Sequence, residues 1–491
     1  MYEDAIDAFR AAQRIDPNFV MAYWGEAMSF SQPLWFFEEV DKGRAALAKL
    51  GATPAARIAK ARTPREQGFM RAVEALFGPG STAARAAAHA QAMAKVAADY
   101  PADDDAQTFY ALALLATLPR GDAALPLRRQ AGAIAEKVFA RSPQHPGAAH
   151  YILHAYDHGT LATKALPAAR AYAKIAPQAS HALHMPAHAF LQVGFWNEAA
   201  AADEASWNAS IAWAKRRGLP ITSRDYHSLT WLQYEWTQQG RFSKTKETIA
   251  LVDAALKAPS PEPQAASPLH SGGHGYSEGS EIGRGSNEAA LRNDRGSMRA
   301  RYIIESERWD EIKGQTTFDN IEELFAIGLS AVTRADAASV GAALTELRKA
   351  AAPSQPAGLR EQAAIMLAEM EALDLYARGR QGDAFVRMDA AVTLQARMPK
   401  PIGRPFPVKD ANELYGDLLL QSGRAKEAIV RFDRALARTP NRSRALLGLA
   451  RAYRNAGDAA NARAAYKRLL TNYRNADPGL PEVSEARQAL K

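Results

Sequence analysis

The sequence of 491 residues contains no cysteine. This absence excludes disulfide bonds, thiolate metal ligands and cysteine nucleophiles. There is also no run of about 18 uncharged apolar residues, so no membrane-spanning helix is predicted. Runs of β-branched residues are scarce and alanine is abundant, so we expect helices to outnumber strands by far. A chain of this length is too long for one ordinary core, unless the core grows as a linear array.

Familiar catalytic motifs are missing as well. The sequence has no GxSxG, no P-loop and no GxGxxG followed by a suitable acidic residue. HExxH is absent, because Tyr151 follows His150 where the motif needs glutamate. The net charge of +8, from 61 basic and 53 acidic residues, is mild for this length. Arginines are dispersed without a basic run interleaved with aromatics, so no nucleic-acid partner is indicated.

A repeat of about 34 residues, the length of one helix-turn-helix unit, is clearest near the C-terminal end. Small residues, an aromatic residue and a proline recur there at the offsets of such a unit: Gly416, Gly423, Ala428, Phe432, Ala435 and Pro440, followed one repeat later by Ala450, Gly457, Ala462 and Tyr466. This pattern resembles the tetratricopeptide repeat (TPR) family. The resemblance implies an all-α fold, in which helix-turn-helix repeats form a right-handed superhelical solenoid.

We expect three segments along the chain. Residues 1–257 are predicted to be an N-terminal TPR superhelix that carries a histidine-rich groove, and residues 298–491 a C-terminal TPR superhelix. Residues 258–297 between them are rich in glycine, serine and proline (SPLHSGGHGYSEGSEIGRGS). That composition predicts a flexible loop.

The first residues match only the second half of a repeat, through Ala5, Phe9, Ala12 and Pro17. We therefore expect Met1 to lie inside a truncated unit, with further sequence upstream. No signal peptide is recognisable at this start, but an export signal could belong to the missing segment. The prediction is a soluble protein of the cytoplasm or the periplasm.

The histidines carry the chemical signal. Seven of the 11 fall between His145 and His188. In the segments HYILH (His150 to His154) and HMPAH (His184 to His188), the i,i+4 spacing lets each pair present two imidazoles to one ion from one helix face. The two pairs are separated in sequence by one repeat length. We therefore expect these four imidazoles to form a small rectangle on neighbouring helices.

The repeat register extends this set. In the TPR family the corresponding positions line the concave groove, so the resemblance implies one patch on that face. The predicted metal ligands are His150, His154, Asp157, His181, His184, His188 and His227. The other histidines are expected to have different roles: His145 and His158 at helix ends, His89 structural, and His270 and His274 in the loop.

The ligand types narrow the metal. Imidazoles with one carboxylate suit zinc, copper, iron or nickel and disfavour magnesium and calcium. Six histidines exceed one tetrahedral shell, so either two ions bind or some of the imidazoles serve a substrate or the surroundings of one ion. Asp225 and Tyr226 are weak candidates for a general base or a phenolic donor near a metal-bound water. The alternative for Asp225 is a helix cap.

The histidine segments also sharpen the resemblance. HPGAAHYILHAYD, SHALHMPAHAF and DYHSLTWLQYEW together resemble a largely uncharacterised bacterial family of long TPR proteins with HxxxH segments. That family implies no established reaction.

Three interpretations of function stay open. The first is a TPR protein with a divalent-metal site on its concave face, including a metal-dependent enzyme, hydrolytic or oxidative, that acts on a small molecule or peptide in the groove. The second is a non-catalytic scaffold for protein–protein interaction. The third is a metal storage or delivery protein. The histidine register favours the first and third, but the sequence decides neither whether the protein is an enzyme nor its oligomeric state.

Overall fold

The computed structural model describes residues 2–35, 37–119, 121–258 and 288–491. In this part of the chain helices and their connections dominate. The described strands are β1, Ser31–Gln32, and β2, Phe37–Glu38, which pair antiparallel with Ser31 opposite Glu38. Short 3₁₀ helices cover Pro33–Trp35, Gly121–Ala124, Ile221–Ser223, Trp309–Ile312 and Tyr473–Asn475. The predicted all-α class is confirmed.

The described residues fall into two compact units, 2–189 and 190–258 together with 288–491. The helices of the first unit are α1 Tyr2–Ile15, α2 Val20–Met28, α3 Val40–Ala48, α4 Pro54–Ala59, α5 Pro64–Leu76, α6 Thr82–Asp99, α7 Asp104–Leu115, α8 Leu125–Arg141, α9 Pro146–Ala155, α10 Ala162–Ile175 and α11 Ser180–Val193, whose residues from Phe190 onward are grouped with the second unit.

The second unit continues the series of helices. They are α12 Trp196–Arg216, α13 Tyr226–Gln238, α14 Phe242–Lys257, α15 Glu288–Ser306, α16 Ile321–Thr333, α17 Ala337–Ala350, α18 Ala357–Ala377, α19 Gln381–Arg397, α20 Ala411–Gln421, α21 Ala425–Arg438, α22 Ser443–Asn455, α23 Ala459–Asn472 and α24 Pro481–Ala489.

Helix starts follow from local sequence signals. At α5 the Thr63 hydroxyl accepts a hydrogen bond from the Glu66 backbone N–H, and the Glu66 carboxylate accepts one from the Thr63 backbone N–H. This reciprocal capping box satisfies donors that the first turn leaves unpaired, and Pro64 loses nothing at the first helical position.

The spacing of small and aromatic residues in the repeat has a packing cause. Phe432 of α21 is fully buried between α20 and α22. A Cβ atom added to Gly416 would lie 2.7 Å from its ring, and one added to Gly448 would lie 2.3 Å from it. Only residues without a side chain allow both helices to approach this ring so closely. Gly423 and Gly457 turn the chain after their helices with φ of +73° and +82°, as the repeat pattern predicts.

The predicted loop at residues 258–297 needs one correction. Residues 259–287, which include His270 and His274, lie outside the described residues, and the prediction for them stays a prediction. Residues 288–297 are helical, since they form the first half of α15. The glycine-rich composition of the segment predicts that Gly296 belongs to a loop. In the structure, however, a Cβ atom at this position would lie 2.9 Å from Cγ of Asn320. The glycine therefore serves close helix packing.

No helix within the described ranges is both long and apolar enough to cross a bilayer.

Candidate metal centre

Helix α9 holds the first histidine pair. The helix begins at His145, whose Nδ1 accepts a hydrogen bond from the Ala148 backbone N–H at 3.2 Å, and Pro146 occupies the first turn. This cap confirms the helix-end role predicted for His145. It also sets the helical phase that places His150 and His154 on one face, one turn apart.

Three imidazole nitrogens converge in the first unit. Nε2 of His150 lies 2.9 Å from Nε2 of His154 and 3.0 Å from Nε2 of His181 on α11. The ligand atoms of these three residues all lie within 4.8 Å of one another. Two ligands on a tetrahedral zinc ion are separated by about 3.3 Å for Zn–N bonds of about 2.05 Å. The observed separations are thus close to those of a ligand set around one ion.

Ordinary hydrogen bonding accounts less well for this cluster. A neutral imidazole nitrogen carries either one hydrogen or one lone pair. Nε2 of His150 can therefore make one good hydrogen bond, yet it has two nitrogen neighbours at 3.0 Å or less. A cation at the convergence point would use the lone pair of each nitrogen.

Aromatic rings hold His150 in place. The ring of Tyr172, on α10, stacks on the imidazole with a centroid distance of 5.4 Å and an interplanar angle of 17°, and the ring of Tyr151 stacks at 5.5 Å. No sequence signal distinguishes these tyrosines, because aromatic residues in repeats are most often core. Burial lowers the pKa of His150 to about 3, so its imidazole is neutral at pH 7, the form that binds metals.

A second histidine pair lies beside the first cluster. Nε2 of His184 is 2.9 Å from Nε2 of His188, and both side chains are buried. The His181 and His184 rings are 6.5 Å apart, centroid to centroid. Burial lowers the pKa of His188, although the Asp157 carboxylate acts in the opposite direction.

Asp157 contacts the far side of this pair. Its Oδ2 lies 2.9 Å from Nδ1 of His188, so the Nδ1–H donates to the carboxylate and leaves Nε2 with its lone pair toward His184. Histidines that bind metals commonly have such a carboxylate behind them, which fixes the tautomer and the ring orientation.

The described contacts between α9 and α11 have a different offset from the one-repeat spacing behind the predicted rectangle of four imidazoles. His150 faces His181, and Asp157 faces His188, both at a sequence separation of 31 residues. Equivalent positions of the repeat are separated by about 34 residues. The contacting positions of α9 and α11 are therefore shifted by three residues, about 4.5 Å along a helix. His181 thereby lies against the pair on α9, and His184 and His188 lie against each other.

The remaining predicted site residues belong to the second unit. His227, on α13, is half-buried, with its ring 5.4 Å from that of Trp231. Asp225 caps α13, because its carboxylate accepts from the Ser228 backbone N–H and from the Ser228 hydroxyl. The Tyr226 hydroxyl donates to the Ile221 carbonyl. These contacts favour the capping interpretation of Asp225, and the metal role of His227 stays a prediction.

Two other histidines have local partners. His158 has Nε2 3.2 Å from an Asp122 carboxylate oxygen and Nδ1 3.0 Å from the Thr160 hydroxyl. His89, on α6, is buried, and its Nδ1–H donates to the Ala72 carbonyl at 2.9 Å.

His89 should make stability depend on pH. Burial lowers its pKa below the ordinary value, so below about pH 6.5 the unfolded chain binds a proton that the folded chain does not. The free energy of unfolding should fall with falling pH by up to about 1.4 kcal/mol per pH unit from this group. Urea unfolding of wild type and His89→Gln between pH 8 and 5 tests this. The variant, which keeps an N–H donor, should show the shallower dependence, and equal slopes would contradict it.

Comparison with known proteins places the repeats. Residues 419–480 match the sequence model of the tetratricopeptide repeat. No curated protein sequence matches the chain. The human IFIT1 dimer with m7Gppp-AAAA is similar at 13% identity and a TM-score of 0.35, with 96% of this chain and 94% of that one covered. The P58(IPK) TPR domain is similar at 14% identity and a TM-score of 0.22, covering 79% and 98%. The APC/C heterotetramer Cut9–Hcn1 is similar at 10% identity and a TM-score of 0.30, covering 100% and 87%.

The helical hairpins and the cluster of imidazoles define a helical-repeat protein with a candidate metal centre. Residues 419–480 carry tetratricopeptide repeats, as the resemblance implied for this part of the chain.

Proposed function

We propose that this TPR protein binds a divalent transition-metal ion through His150, His154 and His181. The convergence of their three Nε2 atoms supports the proposal. Imidazole ligands suit zinc, copper and iron. Three protein ligands leave a coordination position for water or a small molecule, which is the arrangement of catalytic rather than structural zinc sites.

We further propose that His184 and His188 contribute to a second ion. The short separation of their Nε2 atoms and the carboxylate behind His188 support this. In this proposal Asp157 orients His188 from outside the ligand shell, and does not act as the ligand that the sequence analysis expected. A substitution of Asp157 that keeps the negative charge but changes the geometry would then not preserve full affinity for the metal ion.

The proposal stops at metal binding and assigns no reaction. Asp225 and Tyr226, the candidates for a base and a phenolic donor, have a cap and a carbonyl contact that account for them. Storage, delivery and catalysis all require the same first property, an ion held by the imidazoles.

A non-catalytic scaffold is the second candidate. It is favoured by the match of residues 419–480 to the TPR model, because stacked helical repeats present extended surfaces that bind partners. The two candidates are compatible in one chain, since the imidazole cluster lies in the first unit and the matched repeats lie in the second.

Elemental analysis of protein purified without a histidine tag or a chelator tests the metal proposal. We expect about one or two equivalents of zinc, copper or iron per chain, as the ligand sets allow. The element would distinguish hydrolytic from oxidative chemistry. Protein that contains no metal, and takes up none when Zn²⁺, Cu²⁺ or Fe²⁺ is added, would overturn the proposal and leave the scaffold candidate.

A further inference from the structure

A long connection within the second unit is rich in proline. Residues 398–410 (MPKPIGRPFPVKD) join α19 to α20 and include four prolines. The connection from α20 to α21, by contrast, covers only residues 422–424. Connections of this length inside compact repeats usually have a function. We call residues 398–410 the strap.

The strap is held by side chains of other helices. Among the described residues no backbone–backbone hydrogen bond involves residues 399–409. Instead, Arg301 Nη2 donates to the Pro405 carbonyl at 2.6 Å, and Arg438 Nη2 donates to the Pro399 carbonyl at 3.0 Å. A segment whose carbonyls accept hydrogen bonds from side chains of other helices is held in the way that a bound peptide is held.

The middle of the strap lies on a defined surface. This strap-binding surface comprises Trp231 and Tyr234 of α13, Asp294 and Arg301 of α15, and Glu322 of α16. Gly403 lies against the indole of Trp231, because a Cβ atom there would be 2.5 Å from Cζ2. The Arg301 guanidinium lies 5.3 Å from the centroid of the Tyr234 ring, a cation–π contact.

Charge also matches the strap to this surface. Arg404 is close to the carboxylates of Asp294 and Glu322, whose charges favour its protonated form. Burial and the like charge of Arg301 act in the opposite direction. The acidic side chains of the surface thus have the charge opposite to that of the arginine that follows Gly403, although Nη1 of Arg404 is buried without a hydrogen-bond partner among the described residues.

The strap does not satisfy the surface completely. Nε and Nη1 of Arg301 are buried and have no hydrogen-bond partner among the described residues. Buried donors without partners oppose the bound state. The strap thus leaves two donors of this surface without a hydrogen bond.

We propose that the strap-binding surface is a peptide-binding site that the chain occupies with its own strap, and that its external partner is a proline-rich segment containing Gly-Arg-Pro. The prolines restrict the backbone of such a segment, so it loses less conformational entropy when it binds. The glycine fits Trp231, the arginine has the charge opposite to that of Asp294 and Glu322, and the carbonyl of the following proline accepts from Arg301. The inference rests on the scaffold candidate, to which it gives a partner class, and it is independent of the metal proposal.

Binding of a strap peptide to a variant with a displaced strap tests this. In Gly403→Ala the new Cβ atom would meet the buried Trp231 indole, so the strap should leave its surface. A fluorescein-labelled peptide of residues 398–410, followed by anisotropy, should then bind about 100-fold more tightly than to wild type, where the tethered strap competes at millimolar effective concentration. Gly382→Ala is the matched control, because a Cβ atom there meets nothing within 4 Å, and it should behave as wild type.

A second variant covers the case in which Gly403→Ala fails to fold. Replacement of residues 399–407 by a Gly/Ser linker of equal length keeps Val408, which is buried in the core, and should give the same gain in affinity. A labelled peptide carrying Arg404→Ala should lose that gain. The inference would be overturned if the variants fold but bind the labelled strap peptide no more tightly than wild type does. If unrelated peptides bind the linker variant as tightly as the strap peptide, the partner class is wrong but the scaffold candidate stands.

Discussion

Arg442→Met is expected to reduce the free energy of unfolding by about 3–5 kcal/mol, the usual effect of removing one partner from a buried ion pair. Arg442 is 1% exposed and lies between two buried carboxylates. Its Nε is 2.6 Å from a Glu413 oxygen, and its Nη2 is 2.7 Å from a Glu305 oxygen. Methionine removes the cation and leaves both carboxylates buried. Glu413 keeps Lys409, whose Nζ lies 2.7 Å from its Oε1, whereas Glu305 loses its ion pair with Arg442 and becomes a buried charge without this partner, which is strongly unfavourable.

Urea unfolding followed by tryptophan fluorescence measures this change, with Arg424→Met as the matched control. Arg424 pairs with Glu427 at 2.5 Å, but both side chains are exposed, so the control should change stability by less than about 1 kcal/mol. The interpretation of Arg442 fails if both variants shift the urea midpoint equally.

His150→Ala is expected to weaken binding of the metal ion by at least about 100-fold, since even the loss of residues that only orient a ligand costs about 10–100-fold. Its Nε2 is the atom that lies within 3.0 Å of both other nitrogens of the cluster. Competition of Zn²⁺ between the protein and a chromophoric chelator measures the affinity, and far-UV circular dichroism checks that the helices persist.

His158→Ala is the control for His150→Ala. His158 is a neighbouring histidine whose ring contacts Asp122 and Thr160. Its replacement should leave the affinity unchanged. Wild-type affinity in His150→Ala would contradict the assignment, and a comparable loss in His158→Ala would show that the effect is not specific to the cluster.

Local features of the fold could be predicted well. Glycines at the turns and the aromatic residue between helices recur at the repeat spacing, and Phe432 lies between Gly416 and Gly448 as such a pattern requires. The loop prediction is wrong for residues 288–297, which are helical, and the reason lies in the tertiary structure. Composition cannot distinguish a glycine that frees the backbone from one that admits a neighbouring side chain, as Gly296 admits Asn320.

The buried ions of the second unit carried no usable sequence signal. Arg442, Glu413 and Glu305 are far apart in sequence, and charged residues on helices are usually solvated. Their contact depends on which helix faces come together. The contacts of the strap with Trp231 and Arg301 likewise join segments that are distant in sequence, so no local pattern predicts them.

In the candidate metal centre, the sequence alone determined which histidines share a helix face. The i,i+4 spacing is a property of a single helix, and both pairs show Nε2 separations of 2.9 Å. Only the tertiary structure decided which pair meets which neighbour. Side-chain packing between α9 and α11 sets how far one helix is shifted along the other. The resulting contacts join residues that are 31 positions apart in sequence, His150 with His181 and Asp157 with His188. Because a shift of three residues along a helix changes which side chains come together, the contacts of each proposed ligand follow from that packing.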